Sequence, residues 1–530
     1  MNPVTEPIVL VVLDGFGLSL ETRGNAIAQA RKPNFDDIEK NFPFTTLQAS
    51  ASAVGLPLGE AGNSEVGHLT MGAGRVIYHH LPRIITSIRD GSFYQNRAFL
   101  EIADHVRKNK SALHLLGLVS SGSVHSYIDH LYALLDLTAR EKVERVFLHV
   151  ITDGRDAPPR EGADFVSKLN DLLSAKYPHA KIASLVGRSV AMDRDEKWER
   201  IEEAYELLVT GRGVPFENPG EFLRRSYAEG ASDESIPPAY AEKEGRVRGR
   251  VEENDGLILF NFREDSMREI TEAFAAEGFS AFRRAKIKNL RVATMTEYEK
   301  NLAGVEAAFR PLEISWPLAR VLSAAGKRQL HIAESEKYAH VTYFFNGGEE
   351  RPFPEEDRIL VPSSAEAGFD EHPQMKAAEI TEKIVGEVGK YDFILGNLAN
   401  ADMVGHTGNF PAVVSAVEAL DEAVGRLRAA TLEKGGILIV TADHGNAEKK
   451  MNPISGEPLT EHTTNPVPFY LIGRNYKLRS ERSEEEIRAV KKVTGGILTD
   501  IAPTVLELAG LEQPKEMTGQ SLLPLLLRRR

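Results

Sequence analysis

The sequence predicts an α/β protein of two domains with mainly parallel sheets. Three observations carry this reading. Short apolar, β-branched runs alternate with helix-period segments along the whole chain of 530 residues, the pattern of crossover-connected strands. Those runs are apolar on consecutive rather than alternate residues, as strands buried on both faces of a sheet must be. The length, at roughly 150 residues per domain, calls for more than one core.

Taken in order, the runs are residues 7 to 13 (PIVLVVL), 112 to 119 (ALHLLGLV), 145 to 151 (RVFLHVI), 181 to 186 (KIASLV), the region around 257 (GLILFNF), 329 to 334 (QLHIAE), 391 to 397 (YDFILGN) and 435 to 442 (GGILIVTA). Most lead into a Gly- or Asp-rich turn and then a helical pattern. Residues 195 to 213 place apolar side chains at 198, 201, 204, 205 and 208 and end in glycine, an amphipathic helix with its stop signal. Residues 411 to 436 open with proline and close with Gly-Gly, the proline-first, glycine-last order of a long helix. Internal repeats, low-complexity tracts and heptads are absent from the sequence.

Composition narrows the chemistry. With no cysteine there are no disulfides, thiolates or zinc-thiolate sites, so any metal must be held by His, Asp and Glu. A net charge of -13 argues against nucleic acid or an anionic membrane as partner, and no run of 18 apolar residues is present to span a bilayer. The N-terminus carries neither a basic flank nor a cleavage site and reads as a first strand, so a cytoplasmic protein is expected.

In open parallel sheets ligands bind beyond the carboxyl ends of the strands, which makes the residue after each strand informative. Asp14 follows the first run; Asp402 and His406 follow YDFILGN; Asp443 and His444 follow GGILIVTA; His462 precedes VPFYLI, which reads as a further strand. Taken singly, each is an ordinary turn or capping residue. Together, three carboxylates and three imidazoles suit two divalent cations better than one. They also bear on Ser64, in GNSEVGH at 62 to 68, which lacks the Gly-x-Ser-x-Gly elbow of base-activated serines. A hydroxyl beside a dication is acidified without a base, so Ser64 is a candidate nucleophile and a further metal ligand.

The middle of the chain has a different set at its strand ends: Arg155 and Asp156, Arg188 and Arg194, Arg263 and Arg268, and His125. On an acidic protein such a row reads as an anion clamp, the bland alternative being a salt-bridged rim with Asp153, Asp156, Asp193, Asp195 and Asp265. Metal-type residues at both ends of the chain and arginines between them predict a metal domain made of both termini with a second α/β domain inserted. Substrate is expected in a cleft that closes to exclude water.

At this point the chain resembles the cofactor-independent phosphoglycerate mutases, a branch of the alkaline phosphatase superfamily. The motifs that carry the likeness span nearly the whole length: VLDGFG, GNSEVGHLTMGAGRVIY, LHLLGLVSSGSVHS, DGRDAPP, AMDRD, FNFRED, AESEKYAHVTYFFNGG, ANADMVGHTG, TADHGNAEK, EHTTNPVPF and DIAPTVLELAG. The resemblance implies an alkaline-phosphatase-like metal domain of residues 1–77 and 313–530 with a substrate domain, residues 78–312, inserted. It implies exchange of phosphate between the 3- and 2-hydroxyls of glycerate, an isomerase step of glycolysis and gluconeogenesis. The phosphate would pass through a phosphoserine on Ser64, with two Mn2+ ions or other divalent metals and no 2,3-bisphosphoglycerate. By position, Asp402, His406 and His462 would hold one metal and Asp14, Ser64, Asp443 and His444 the other. His125, Arg155, Asp156, Arg188, Arg194, Arg263 and Lys337 would bind substrate, with Asp156 a proton shuttle and Lys337 a charge on the moving phosphoryl group. The partner is then a small molecule, with no nucleic acid and no membrane, and a monomer is expected because the site needs no second chain.

The chain departs from the family pattern at NFREDSMR, where Ser266 stands in place of an expected arginine. Losing that fork would cost about 2 to 4 kcal/mol unless another side chain such as Arg268 takes its place. GRSVAMDRD, SSGSVHS and VPSSAEAGFD depart as well. Two other readings follow: a metal-dependent phosphatase, or a mutase of another phosphorylated small molecule, and a catalytically silent protein that binds metal and phosphometabolite.

Overall fold

Six consecutive apolar residues, Ile8–Leu13, are all buried because the strand lies inside a sheet, between Phe393–Leu398 and Ile437–Thr441 and parallel to both. In the computed structural model, which describes residues 6–300, 302–363 and 368–528, the chain divides into two units. One runs up to His79 and resumes at Leu312; the other is His80–Pro311. Arg529 and Arg530 of the terminal arginine run, and residues 364–367 within VPSSAEAGFD, lie outside the described residues.

The sheet of the first unit has the order Glu356–Val361, Gln329–Glu334, Phe393–Leu398, Ile8–Leu13, Ile437–Thr441, Val467–Ile472, Phe44–Gln48, Thr494–Ile497. The first five strands are mutually parallel. Val467–Ile472 then reverses against both neighbours. The periodicity of VPFYLI announces a strand but not its direction, which is set by what it packs beside. All five parallel strands deliver their carboxyl ends to one edge, and that edge carries the residues described below.

The second unit has the sheet order Val305–Phe309, Arg291–Thr296, Gly256–Leu259, Leu113–Leu118, Val146–Thr152, Ala180–Gly187, Ala239–Lys243, Val214–Phe216, with Arg246–Val247 paired to Ala239–Lys243. It is parallel as far as Ala180–Gly187, where Ala239–Lys243 runs antiparallel. Leu113 and Leu115 join one buried cluster while Leu116 and Leu118 join another, so both faces of the sheet are covered, as its continuous apolar strands require. The helix expected over 195–213 is Trp198–Thr210, closed by Gly211 in the left-handed conformation. That expected over 411–436 is Phe410–Glu433, with Asn409 capping its first turn. Among the described residues no helix is long and apolar enough to cross a membrane.

Candidate metal centre and anion site

In the first unit the strand ends bring together two sets of donors. Asp402, His406 and His462 form one, and Asp14, Asp443 and His444 the other, with the ligand-type atoms of each set within 4.8 Å of one another. Glycine makes the approach of the first loop possible. Gly15 has φ +76°, and a Cβ there would lie 2.7 Å from the Asp402 Cα. An alanine would therefore be strained in backbone and push the two ligand-bearing loops apart.

The chemistry of the first set follows from where its protons are. His406 donates from Nδ1 to the Thr460 carbonyl, 2.8 Å, and His462 from Nδ1 to the Gly62 carbonyl, 2.8 Å. In the neutral tautomers both Nε2 atoms are then bare lone pairs. Yet they face each other at 3.0 Å, and Asp402 Oδ1 lies 3.2 Å from one and 3.1 Å from the other. Three convergent electron pairs repel unless positive charge sits among them, so the donor set fits a cation. Sulfur is missing and the donors are nitrogen and oxygen, which suits Mn2+, Zn2+, Co2+ or Mg2+.

The second set encloses Ser64. This residue opens the helix Ser64–Ala73, whose cap Asn63 accepts from the Val66 N–H, so its side chain lies at the positive end of the helix, where an anion is favoured. Ser64 Oγ is 3.0 Å from Asp14 Oδ1 and 3.0 Å from His444 Nε2. Lys337 donates from Nζ to Asp14 Oδ1, Ser64 Oγ and Asp402 Oδ2, each at 2.7 Å, and so touches both donor sets. Burial alone would raise the Asp14 and Asp402 carboxyls, but Lys337 and His444 outweigh it and hold both well below the usual carboxylate range. Burial opposes charge on His444 too, yet Asp443, Asp402 and Asp14 push it up to about 10. The site attracts positive charge, as a cation centre should.

Residues absent from the sequence reading of the site support these ligands. Asn446 donates from Nδ2 to Asp402 Oδ1, 2.9 Å. The buried Lys450 holds the other end of that amide and donates to the Gly405 carbonyl, 3.1 Å. His68 and Asn397 lie against Ser64, Asp14 and Asp443. The signals were present: His68 is one helical turn from Ser64, Asn397 ends the run YDFILGN, and Asn446 completes Asp-His-Gly-Asn.

In the second unit a cavity of about 330 Å³ is lined by His125, Arg155, Arg188, Arg194, Arg200 and Ser266, among others. Arg188, almost fully buried, donates from Nη1 to Asp153 Oδ1 and Asp156 Oδ2, both 2.6 Å. Its Nη2 is 2.9 Å from His125 Nε2. A guanidinium only donates, so His125 accepts there and donates from Nδ1 to Ser266 Oγ, 3.0 Å. Burial, then Arg188 and Arg263, push the His125 pKa down to about 4. Arg155 pairs with Glu234, and Arg194 and Arg263 with Asp265, so the arginine row is also an ion-pair network. Arg268 does not take the place of the expected arginine: it is absent from the cavity lining and bonds the Tyr298 carbonyl, 3.2 Å. Ser266 instead accepts from His125 Nδ1, whose tautomer the donor-only Arg188 sets from the other side of the ring.

Comparison with known proteins agrees across the chain. Residues 84–300 match the family model described as the BPG-independent PGAM N-terminus, and residues 327–493 the model for type I phosphodiesterase / nucleotide pyrophosphatase. The chain is 47% identical over 521 residues to the 2,3-bisphosphoglycerate-independent phosphoglycerate mutase of Moorella thermoacetica, covering 98% of this chain and 99% of the relative. It is 46% identical to that of Clostridium novyi, with the same coverage. A solved structure of Leishmania mexicana phosphoglycerate mutase, determined at low cobalt concentration, is 31% identical with a TM-score of 0.55 and covers 98% of both chains.

Proposed function

The chain belongs to the 2,3-bisphosphoglycerate-independent phosphoglycerate mutases, and from that premise we propose that it interconverts 3-phosphoglycerate and 2-phosphoglycerate through a phosphoserine on Ser64. The observation that carries the mechanism is the pair of cation-demanding donor sets around one buried serine. Asp402, His406 and His462 hold one divalent ion, and Asp14, Ser64, Asp443 and His444 the second. When bound, these ions supply Lewis acidity at the serine hydroxyl and at phosphoryl oxygens. Mn2+ is the proposed metal, though nitrogen-oxygen sites accept several ions and availability decides among them.

The chain's own groups do the rest. Ser64 Oγ bonds to phosphorus as the bond from phosphorus to the 3-oxygen of glycerate breaks. The hydroxyl loses one proton and the departing oxygen gains one, with Asp156 assigned to deliver and collect protons at the glycerate hydroxyls. Lys337 offsets charge on the phosphoryl group in flight. His125, Arg155, Arg188, Arg194 and Arg263 keep the glycerate carboxylate in place while the molecule reorients and its 2-oxygen takes the phosphate back. Retention separates a mutase from a phosphatase.

Phosphorus NMR of the Mn2+-loaded protein with 3-phosphoglycerate and no bisphosphoglycerate should show 2-phosphoglycerate growing without free phosphate. Ser64→Ala should abolish both turnover and the phosphoserine signal while leaving the fold intact. Turnover surviving in that variant would overturn the mechanism.

A further inference from the structure

Behind Ser64 lies a closed ring of hydrogen bonds that the reaction chemistry does not itself require. His68, one turn along the helix, donates from Nδ1 to the Ser64 carbonyl oxygen, 2.8 Å. Its Nε2 is thereby left as an acceptor and receives Nδ2 of Asn397, 3.1 Å away. The same amide nitrogen donates its second hydrogen to Asp14 Oδ2, 2.8 Å. Asp14 Oδ1 in turn accepts from Ser64 Oγ, 3.0 Å, so the path that leaves Ser64 by its backbone returns by its side chain.

The ring has only one orientation. His68, Asn397 and Asp14 are all fully buried, so water is not at hand to substitute for a missing partner. Turning the Asn397 amide over would set its oxygen against the Asp14 carboxylate and the His68 lone pair, placing acceptor against acceptor in both contacts. As it stands, Asn397 Oδ1 has no hydrogen-bond partner among the described residues. The arrangement leaves that acceptor unsatisfied so that both donors serve the ring. With Oδ2 held by Asn397, the carboxylate presents Oδ1 to Ser64 Oγ and to Lys337.

We propose that His68 and Asn397 are positioning residues that fix the Ser64 backbone and the Asp14 carboxylate as one unit, setting the direction in which Ser64 Oγ points. The proposal rests on the reading of Ser64 as nucleophile and Asp14 as ligand. Neither residue lines the arginine-rich cavity of the other unit. Their effect falls on the rate of phosphoryl transfer and on metal binding at the Asp14 set, leaving glycerate recognition in the other unit unchanged. Supports of this kind typically cost about 10–100-fold in activity or metal affinity when removed.

The test compares Asn397→Leu, which keeps the shape and removes both donors, with His68→Asn, whose amide nitrogen overlays Nδ1 but offers nothing at Nε2. The double variant and Ser64→Ala complete the set. Steady-state kinetics with 3-phosphoglycerate should give kcat lowered by about 10–100-fold in each single variant with KM within about twofold. Because one ring is broken in either case, the double variant should be no slower than the slower single one. Titration calorimetry with Mn2+ should show about tenfold weaker binding to one of two sites. Thermal melts in EDTA identify the folded variants, and each is informative without the other. Unchanged kcat in a folded variant, multiplicative losses in the double, or a rise in KM alone would overturn the ring while leaving a dead Ser64→Ala protein. Turnover in Ser64→Ala would instead remove the reading beneath it.

Discussion

Replacing Lys337 by methionine keeps most of the side chain's volume and removes its ammonium group. Asp14 Oδ1, Asp402 Oδ2 and Ser64 Oγ each lose a donor at 2.7 Å. The carboxylates are 0% and 2% exposed, so water cannot stand in for that charge. Breaking a buried ion pair by removing one partner costs about 3–5 kcal/mol, which over 530 residues, at about 2.1 cal/mol/K of unfolding entropy per residue, lowers the melting temperature by about 3–5 °C. That deficit should appear in full in EDTA. Excess Mn2+ binds the folded state through the same carboxylates, so it should shrink the gap to roughly half or less while turnover stays down by at least about 100-fold. Calorimetric melts of both proteins with EDTA and with Mn2+, beside a mutase assay, make the comparison. A variant that melts with the wild type in EDTA, or whose deficit is the same in both buffers, would refute the reasoning.

Acid stability should respond to buried neutral histidines in the second unit. Burial lowers His130 to about 3, burial with Arg188 and Arg263 lowers His125 to about 4, and burial with His114 depresses His149. The unfolded chain takes up these protons near pH 6.5 and the folded chain does not, so stability is full above about pH 6.5. It falls by about 1.4 kcal/mol per pH unit for each such histidine as pH drops toward 4. Urea titrations should show His130→Leu with a shallower slope by about one proton, and an unchanged slope would sink the assignment. Arg188→Met should raise KM for 3-phosphoglycerate and destabilise the protein by about 3 kcal/mol, since Asp153 and Asp156 lose a shared partner; an unchanged KM would remove Arg188 from the substrate site.

Nine strands are legible because each is a short, largely apolar run, and six donor residues because each follows or neighbours one; Phe44–Gln48, Arg291–Thr296 and Glu356–Val361 mix polar residues with apolar ones and escape that pattern. Where the sequence reading stopped, the reason is spatial. Asn397 reads as the last letter of an apolar strand, and only the register that sets it opposite Val12 brings it near Asp14. His68 stands one turn from Ser64, but helical spacing does not say that Asn397 waits on its far side. The reversal of Val467–Ile472 depends on its neighbours, not on its own periodicity. Ser266 reads in the sequence as a missing arginine, whereas its bond to His125 needs two loops folded together. Local pattern shows which residues can act, and contact decides which of them meet.

The strand Ile8–Leu13 has one further consequence, in time rather than in space. Its partners are Phe393–Leu398 and Ile437–Thr441, so at about 5–20 residues per second the ribosome needs roughly 20–80 s to add the roughly 400 residues that separate them. Throughout that interval the segment IVLVVL, with no charge, proline or glycine, is the kind of sequence that seeks any free strand edge. The inserted unit is synthesised entirely within the same interval and can fold while the first strand waits. Synthesis of this protein therefore sets an aggregation-prone strand long before the two strands that cover it.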